Sequence, residues 1–359
     1  MTLEAEDSVD VVPDGPRTAK PMYRWLRHTL SPARIGVVYV LIVLIAVFSL
    51  LMPDIFPNGA TVRQILNGNS VAALAALSIV VPLSTGVFDI SGTFTMALSG
   101  IMASSLIVYS GFPVWLAVLL AILASLAVGV FNGIIVVILK IDSLIGTLAG
   151  GFVITAMVQW RSGNRTVTSP ELIGTFQDLA IARPLWGLTW PVFYTVFVAL
   201  VLWYLLEHRA VGRHLYATGF NLNAARLAGV RTDVLQFGTL LLSAMIAGFA
   251  GIVLASTIGA GSPSASAPYL LPAFAAVFLG ATQFKSGRIN VGGTMISILL
   301  LGTLTTGLSL KMVDLWIQRM ITGLVLISAL ALTGLEVRRA GSRHVRSKDR
   351  AKSSGAETV

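Results

Sequence analysis

Ten long apolar stretches run through this chain of 359 residues. A helix rises about 1.5 Å per residue, so about 20 apolar residues carry it across roughly 30 Å of hydrocarbon. The stretches lie at roughly 35–52, 71–88, 92–110, 113–139, 144–160, 189–206, 236–257, 269–283, 291–310 and 317–335. Only 11% of the residues are charged, and the mean hydropathy is +0.83. A soluble domain needs more charge to face water than that. Backbone polar groups find no water in lipid, so spanning segments are helices or closed barrels. These runs are continuous rather than alternating, which points to helices. The expected fold is all-α and polytopic, with about ten transmembrane helices.

Charge placement orients the bundle. Lys and Arg concentrate in cytoplasmic loops. With the N-terminus in the cytoplasm and ten spans, that side collects Arg17, Lys20, Arg24, Arg27, Arg34, Lys140, Arg209, Arg213, Arg226, Arg231, Lys285, Arg288 and the basic run from Arg338 to Lys352. The outer side keeps Arg63, Arg161, Arg165, Arg183, Lys311 and Arg319. Both termini are therefore expected inside. The organisation reads as a largely disordered N-terminal tail at 1–34, a transmembrane domain at 35–335 and a basic C-terminal tail at 336–359, resting near anionic lipid headgroups. The net charge of +9 follows orientation, and nucleic acid is not an expected partner. The longest outer loop, 161–188, is polar with short apolar patches and could pack as a surface helix beneath a docking partner.

Several chemistries are missing. There is no cysteine, so thiolate metal sites and disulfides are excluded. No GxxxxGK[ST] loop, HExxH or GxSxG motif occurs, so the chain does not cradle nucleotide phosphates by itself. His28, His208, His214 and His344 fall on expected cytoplasmic segments, and none pairs at a metal-ligand spacing. An enzyme, a cofactor or a metal site on this chain is poorly supported.

The spans carry almost no ionisable residues. The exception is Asp89, in Ser84-Thr85-Gly86-Val87-Phe88-Asp89-Ile90-Ser91-Gly92-Thr93. A carboxylate at depth costs about 2.5–3.5 kcal/mol on insertion scales and faces protein or water. Pro82 cannot donate a backbone hydrogen bond, which favours a broken helix. Asp89 then either caps a half-helix or ends a span, or, with Ser91, Gly92 and Pro82, lines a pathway or hinge and bonds a polar solute. Proton coupling is a third option, thinly supported by a single acid. A second interruption comes at Gly280–Thr294, between the eighth and ninth stretches. Paired breaks in two halves point to inverted repeats. Gly129 and Gly133, Gly146 and Gly150, and Gly248 with Gly251 allow close helix packing.

The cytoplasmic loop 207–235 is the most informative one. Asn221 or Asn223 can cap a short helix, and Gly229 ends it. Ala224, Ala225, Leu227 and Ala228 give that helix a small, knobby apolar surface suited to a groove on a partner protein. An interfacial helix on lipid is the alternative, but the apolar face is small.

Here the chain becomes recognisable. Glu207-His208-Arg209, Gly212-Arg213-His214-Leu215-Tyr216-Ala217-Thr218-Gly219 and Asn221-xx-Ala224-Ala225-xxx-Gly229-Val230 resemble the coupling loop of bacterial ABC importer permeases of the ribose/monosaccharide type, in the branched-chain amino-acid/ribose permease superfamily. Phe131-Asn132-Gly133, the stretch Gly280–Thr294 and Asp89-Ile90-Ser91 resemble further motifs of that family, over about 35–335. Gly86-Val87 stands where the family has paired glycines, so the solute need not be ribose.

The resemblance implies an inner-membrane permease subunit, pairing with a second copy or a sister permease. Its other partners would be a separate ABC ATPase, which holds the ATP and Mg, and a periplasmic or lipid-anchored solute-binding protein. Asn221, Asn223, Ala224, Ala225, Arg226 and Gly229 would belong to the coupling helix in the ATPase cleft. An ATP-independent secondary carrier or channel for a small polar solute is the competing reading, and an assembly or sensing subunit a third.

Overall fold

The computed structural model describes residues 32–283, 287–324 and 327–328. Every regular element among them is helical. The long helices are α1 (Pro32–Leu51), α2 (Gly59–Leu83), α3 (Gly92–Ser110), α4 (Val114–Gly133, prolonged by a π turn at Ile134–Ile138) and α5 (Ser143–Ser162). After α5 comes an irregular segment holding the short α6 (Thr175–Ile181), then α7 (Trp190–His208). The pair α8 (Ala210–Phe220) and α9 (Leu222–Leu227) precedes α10 (Thr232–Ile258), α11 (Leu270–Ala281) and α12 (Val291–Leu310). A further helix begins at 315 and is described to 324.

Seven of these are long and apolar enough to cross a membrane, and two shorter apolar helices cover Gly36–Leu51 and Ala267–Ala281. Nine expected spans are thus helical. The tenth, 317–335, starts as a helix, and about half of it lies outside the described residues, as do most of the 1–34 tail and all of the 336–359 tail.

The second span departs from its expected bounds of 71–88. It starts twelve residues earlier, at Gly59, where the Asn58 side chain accepts from the amide of Ala60. Its polar first turns read as loop in sequence but find partners. Asn67 donates to the Gly187 carbonyl and accepts from the amide and hydroxyl of Thr189, tying α2 to the start of α7. It stops at Leu83 because Gly86 takes a left-handed φ of 78°. The amides of Gly86 and Val87 then turn back to the carbonyls of Leu83 and Pro82. That pair of bonds is the Schellman closure of a helix C-terminus, which glycine adopts without a Cβ penalty.

The core is built around α10, which packs on α2, α3 and α4. Small residues permit the approach: a Cβ on Gly251 would overlap the Met96 carbonyl of α3, and one on Gly248 would overlap the Ser125 side chain of α4. Buried hydroxyls such as Ser78, Ser99 and Ser125 return their protons to carbonyls of their own helix, as lipid-buried polar groups must. The windows of α4, α5 and α7 leave most of their apolar side chains on the outside.

The two ends differ. One carries α8 and α9 with Lys140, Arg209, Arg213, Arg226, Arg231 and Arg288. The other carries exposed Trp115, Trp160, Trp190 and Trp316 at helix ends and exposed Trp186 in a turn, the placement of an interfacial aromatic belt. The 161–188 segment at that end is not a loose surface helix. Leu172 and Phe176 are fully buried against Ala103, Ala117 and Ile252, and Val167 pairs with Gly261 through two backbone bonds.

The expected pairing of breaks needs correction. The interruptions at 84–91 and 282–290 both join a descending to an ascending helix, and α8 touches both. They share one end of the bundle, whereas an in-plane two-fold axis places equivalent breaks at opposite ends. The positional equivalent of 84–91 is 259–269. In span order the first lies between the second and third spans and the other between the seventh and eighth, five spans on.

Candidate functional site

Asp89 sits at the centre of the first break and is 1% exposed. One carboxylate oxygen accepts from the Ser91 amide at 2.9 Å and the Ser91 hydroxyl at 2.6 Å. The other accepts from the Ser243 hydroxyl of α10 at 2.7 Å. A buried carboxylate is tolerated when such donors replace its water. The network extends to Asn132 of α4, whose amide donates to the Ser91 hydroxyl at 2.7 Å. The Asn132 carbonyl oxygen has no partner; it faces Gly150, where a Cβ would come to 2.8 Å of it.

The break is also held from α5. The Ile90 amide donates to the Thr147 hydroxyl and the Phe88 amide to the Ser143 hydroxyl. Three helices therefore fix this eight-residue non-helical segment through side chains. Pro82 is buried in the last turn of α2, where its carbonyl accepts from the Thr85 hydroxyl. Gly92 opens α3, and a Cβ there would come into ordinary contact with Ser78. The crevice beside Asp89, lined by Ala75, Ser78, Ile79, Thr93, Met96 and Leu270, leaves no space for a solute. A cavity of about 150 Å³ lies elsewhere, between Asn69, Tyr269, Pro272, Ile298, Thr305 and Thr322.

The second set of residues forms α9. Asn221 is its N-cap, accepting from the Ala224 amide at 3.0 Å; Asn223 is exposed and caps nothing. Gly229 ends it at φ 83°, with the amides of Gly229 and Val230 bonded to the carbonyls of Arg226 and Ala225. This is the same closure as at Gly86. Arg226 points back to the bundle: its guanidinium meets Asp233 at 2.7 Å and Thr232 at 3.2 Å, and Lys140 holds the other Asp233 oxygen at 3.1 Å.

One expectation about this surface fails. Ala225 is buried against the bundle, so it does not share an outward face with Ala224, Leu227 and Ala228. The knob that projects is Ala224, Leu227 and Ala228 with Phe220 before it, and Leu227 and Phe220 are 91% and 94% exposed. The two residue sets do not merge into one site. Between them runs α8.

Nothing in the sequence marks Ser243 or Thr147, because a hydroxyl inside an apolar run usually bonds its own helix. Among the described residues no group of His, Cys, Asp and Glu could hold a metal ion.

The family profile described as "Branched-chain amino acid transport system / permease component" matches residues 61–330. The ribose import permease protein RbsC of Escherichia coli (strain K12) is 32% identical over 294 residues, 81% of this chain and 90% of that protein. The L-arabinose ABC transporter permease protein AraH of Azospirillum brasilense is 30% identical over 83% of this chain and 86% of its own length. The D-allose transport system permease protein AlsC of Escherichia coli (strain K12) is 28% identical over 84% and 91%. No solved structure matches the chain.

Proposed function

Since the chain belongs to the branched-chain amino acid transport system permease family, we propose that it is the membrane-spanning permease of an ABC importer for a sugar or sugar-like polar solute. The relatives named for ribose, arabinose and allose support the solute class. The permease works as a pair, with a second copy or a sister subunit, and receives solute from a binding protein at the tryptophan end. The basic end faces the cytoplasm and carries both termini, by the asymmetry of Lys and Arg. ATP and Mg belong to a separate ATPase.

One observation carries the coupling role: the protruding, doubly terminated helix α9 with Leu227 nearly fully exposed at the basic end. Among the described residues nothing covers that leucine, and a helix with one large and several small apolar residues fits a groove on a soluble partner. ATP acts on the permease only by favouring one of its arrangements through that contact. Asp89 serves as a pin for the first break rather than as a solute ligand, since both its oxygens are occupied and no space adjoins it.

The test is gentle extraction of the tagged protein from native membranes, with identification of what copurifies and assay for ATP hydrolysis. A P-loop ATPase retained by the wild type and lost on Leu227→Asp supports the reading. Uptake that needs no ATPase and collapses with the proton gradient would favour the secondary carrier instead.

A further inference from the structure

Helix α8 is placed to do more than connect α7 to α9. Its first turn is packed hard on α7, where a Cβ at Gly212 would overlap the Leu206 carbonyl. Its last turn lies on the first break. A Cβ at Gly219 would overlap the Ser84 carbonyl and approach the Gly86 amide at 3.1 Å. This is backbone against backbone, with no flexible side chain to absorb a shift.

One turn earlier, α8 grips the other junction at the same end. The Tyr216 hydroxyl donates to the Ile289 carbonyl at 2.9 Å. The Arg288 guanidinium lies over the Tyr216 ring, 3.3 Å from its centroid, and reaches Glu207 at 4.0 Å. A planar cation on an aromatic face, flanked by a carboxylate and partly desolvated, is a directional contact. The segment it holds is stiff in its own right. Asn290 donates to the carbonyls of Gly280, Gln283 and Arg288 and accepts from the Gly293 amide.

We infer that α8 is a two-point clamp that ties the α2–α3 and α11–α12 junctions to the docking helix, so that both move with α9 as one body. Gly219 and Tyr216 are its positioning residues. The inference rests on the coupling reading above and adds which parts of the bundle a partner at α9 displaces. The residues of the two grips are far apart in sequence; α8 touches both junctions, and α2 also packs directly on α11 and α12.

The absence of native cysteine makes the test clean. Spin labels at Asn223→Cys with Phe88→Cys, and at Asn223→Cys with Met295→Cys, report the distance from α9 to each junction in the assembled transporter. In the otherwise unaltered chain both distances are expected to stay fixed when ATP is added, while solute is taken up. Gly219→Ala should release the first distance only, and Tyr216→Leu the second only. Each should keep its ATPase and hydrolyse ATP within about twofold of normal, yet lose uptake by roughly tenfold. Tyr216→Phe keeps the ring and the stack and removes one hydrogen bond; it should lose less uptake than Tyr216→Leu, which guards against a folding artefact. A distance that changes with ATP in the unaltered chain would overturn the clamp, as would variants that transport normally. Failure to retain any ATPase would instead overturn the coupling reading.

Discussion

The two positionally equivalent breaks are built from different chemistry. The break at 84–91 has a carboxylate at its centre and is fixed by side chains from α4, α5 and α10. The break at 259–269 contains no Asp, Glu, Lys, Arg or His. It is fixed by backbone: Gly261 and Val167 exchange two amide bonds. The first therefore depends on the identity of a few polar side chains reaching it from distant helices. The second depends on room for the chain itself, since a Cβ at Gly261 would come to 2.8 Å of Ser104. Each break is also tied to whatever covers its own end, α8 on one side and the 161–188 segment on the other.

This contrast fails first, and most visibly, at Asp89. Asp89→Ala leaves Ser91 and Ser243 without their shared acceptor inside the bundle. A hydrogen bond to a charged group is worth about 1.5–3 kcal/mol, so the loss is expected to reach about 3 kcal/mol or more. Monodisperse protein surviving a heating series in detergent would measure it. A variant as heat-resistant as the parent would show that the acid is not what holds the break. Ser243→Ala removes one donor and keeps the other two, and should cost about 1–3 kcal/mol in the same assay.

How far all this was legible follows from the same distinction. Spans are legible because a bilayer demands a run of apolar residues, and all but the second of the nine helical ones lie close to their expected places. The start of α2 is not, because Arg63, Asn67 and Asn69 make its first turns look like loop; Asn67 finds its partners in the turn before α7, and Asn69 bonds within its own helix. Pro82, Gly86 and Asp89 announced the first break in sequence, whereas Ser243 lies 154 residues from Asp89 with nothing to mark it. The ends of α9 were readable in Asn221 and Gly229, since caps are local chemistry. The rotation of α9 was not. Adjacent small residues leave the inward face undetermined, and Ala225 went inside. The outer break escaped notice for its lack of charge, so 280–294 was paired with the first break in its place.

The outer break supplies the smaller effects. Gly261→Ala pushes a methyl toward Ser104 and the Gly100 carbonyl, and should cost about 1 kcal/mol, at the low end of overpacking penalties. Serine at this break should matter little. Ser264 is exposed at the tryptophan end, so Ser264→Ala should stay within about 0.5 kcal/mol of the parent. Set beside Ser243→Ala, the same chemical deletion then gives a large loss at the inner break and almost none at the outer. Equal losses would mean that hydroxyls serve both breaks alike, and that the division between a side-chain-held and a backbone-held break is wrong. Unequal losses in the expected order would instead place side-chain control of the fold at the end that carries α8.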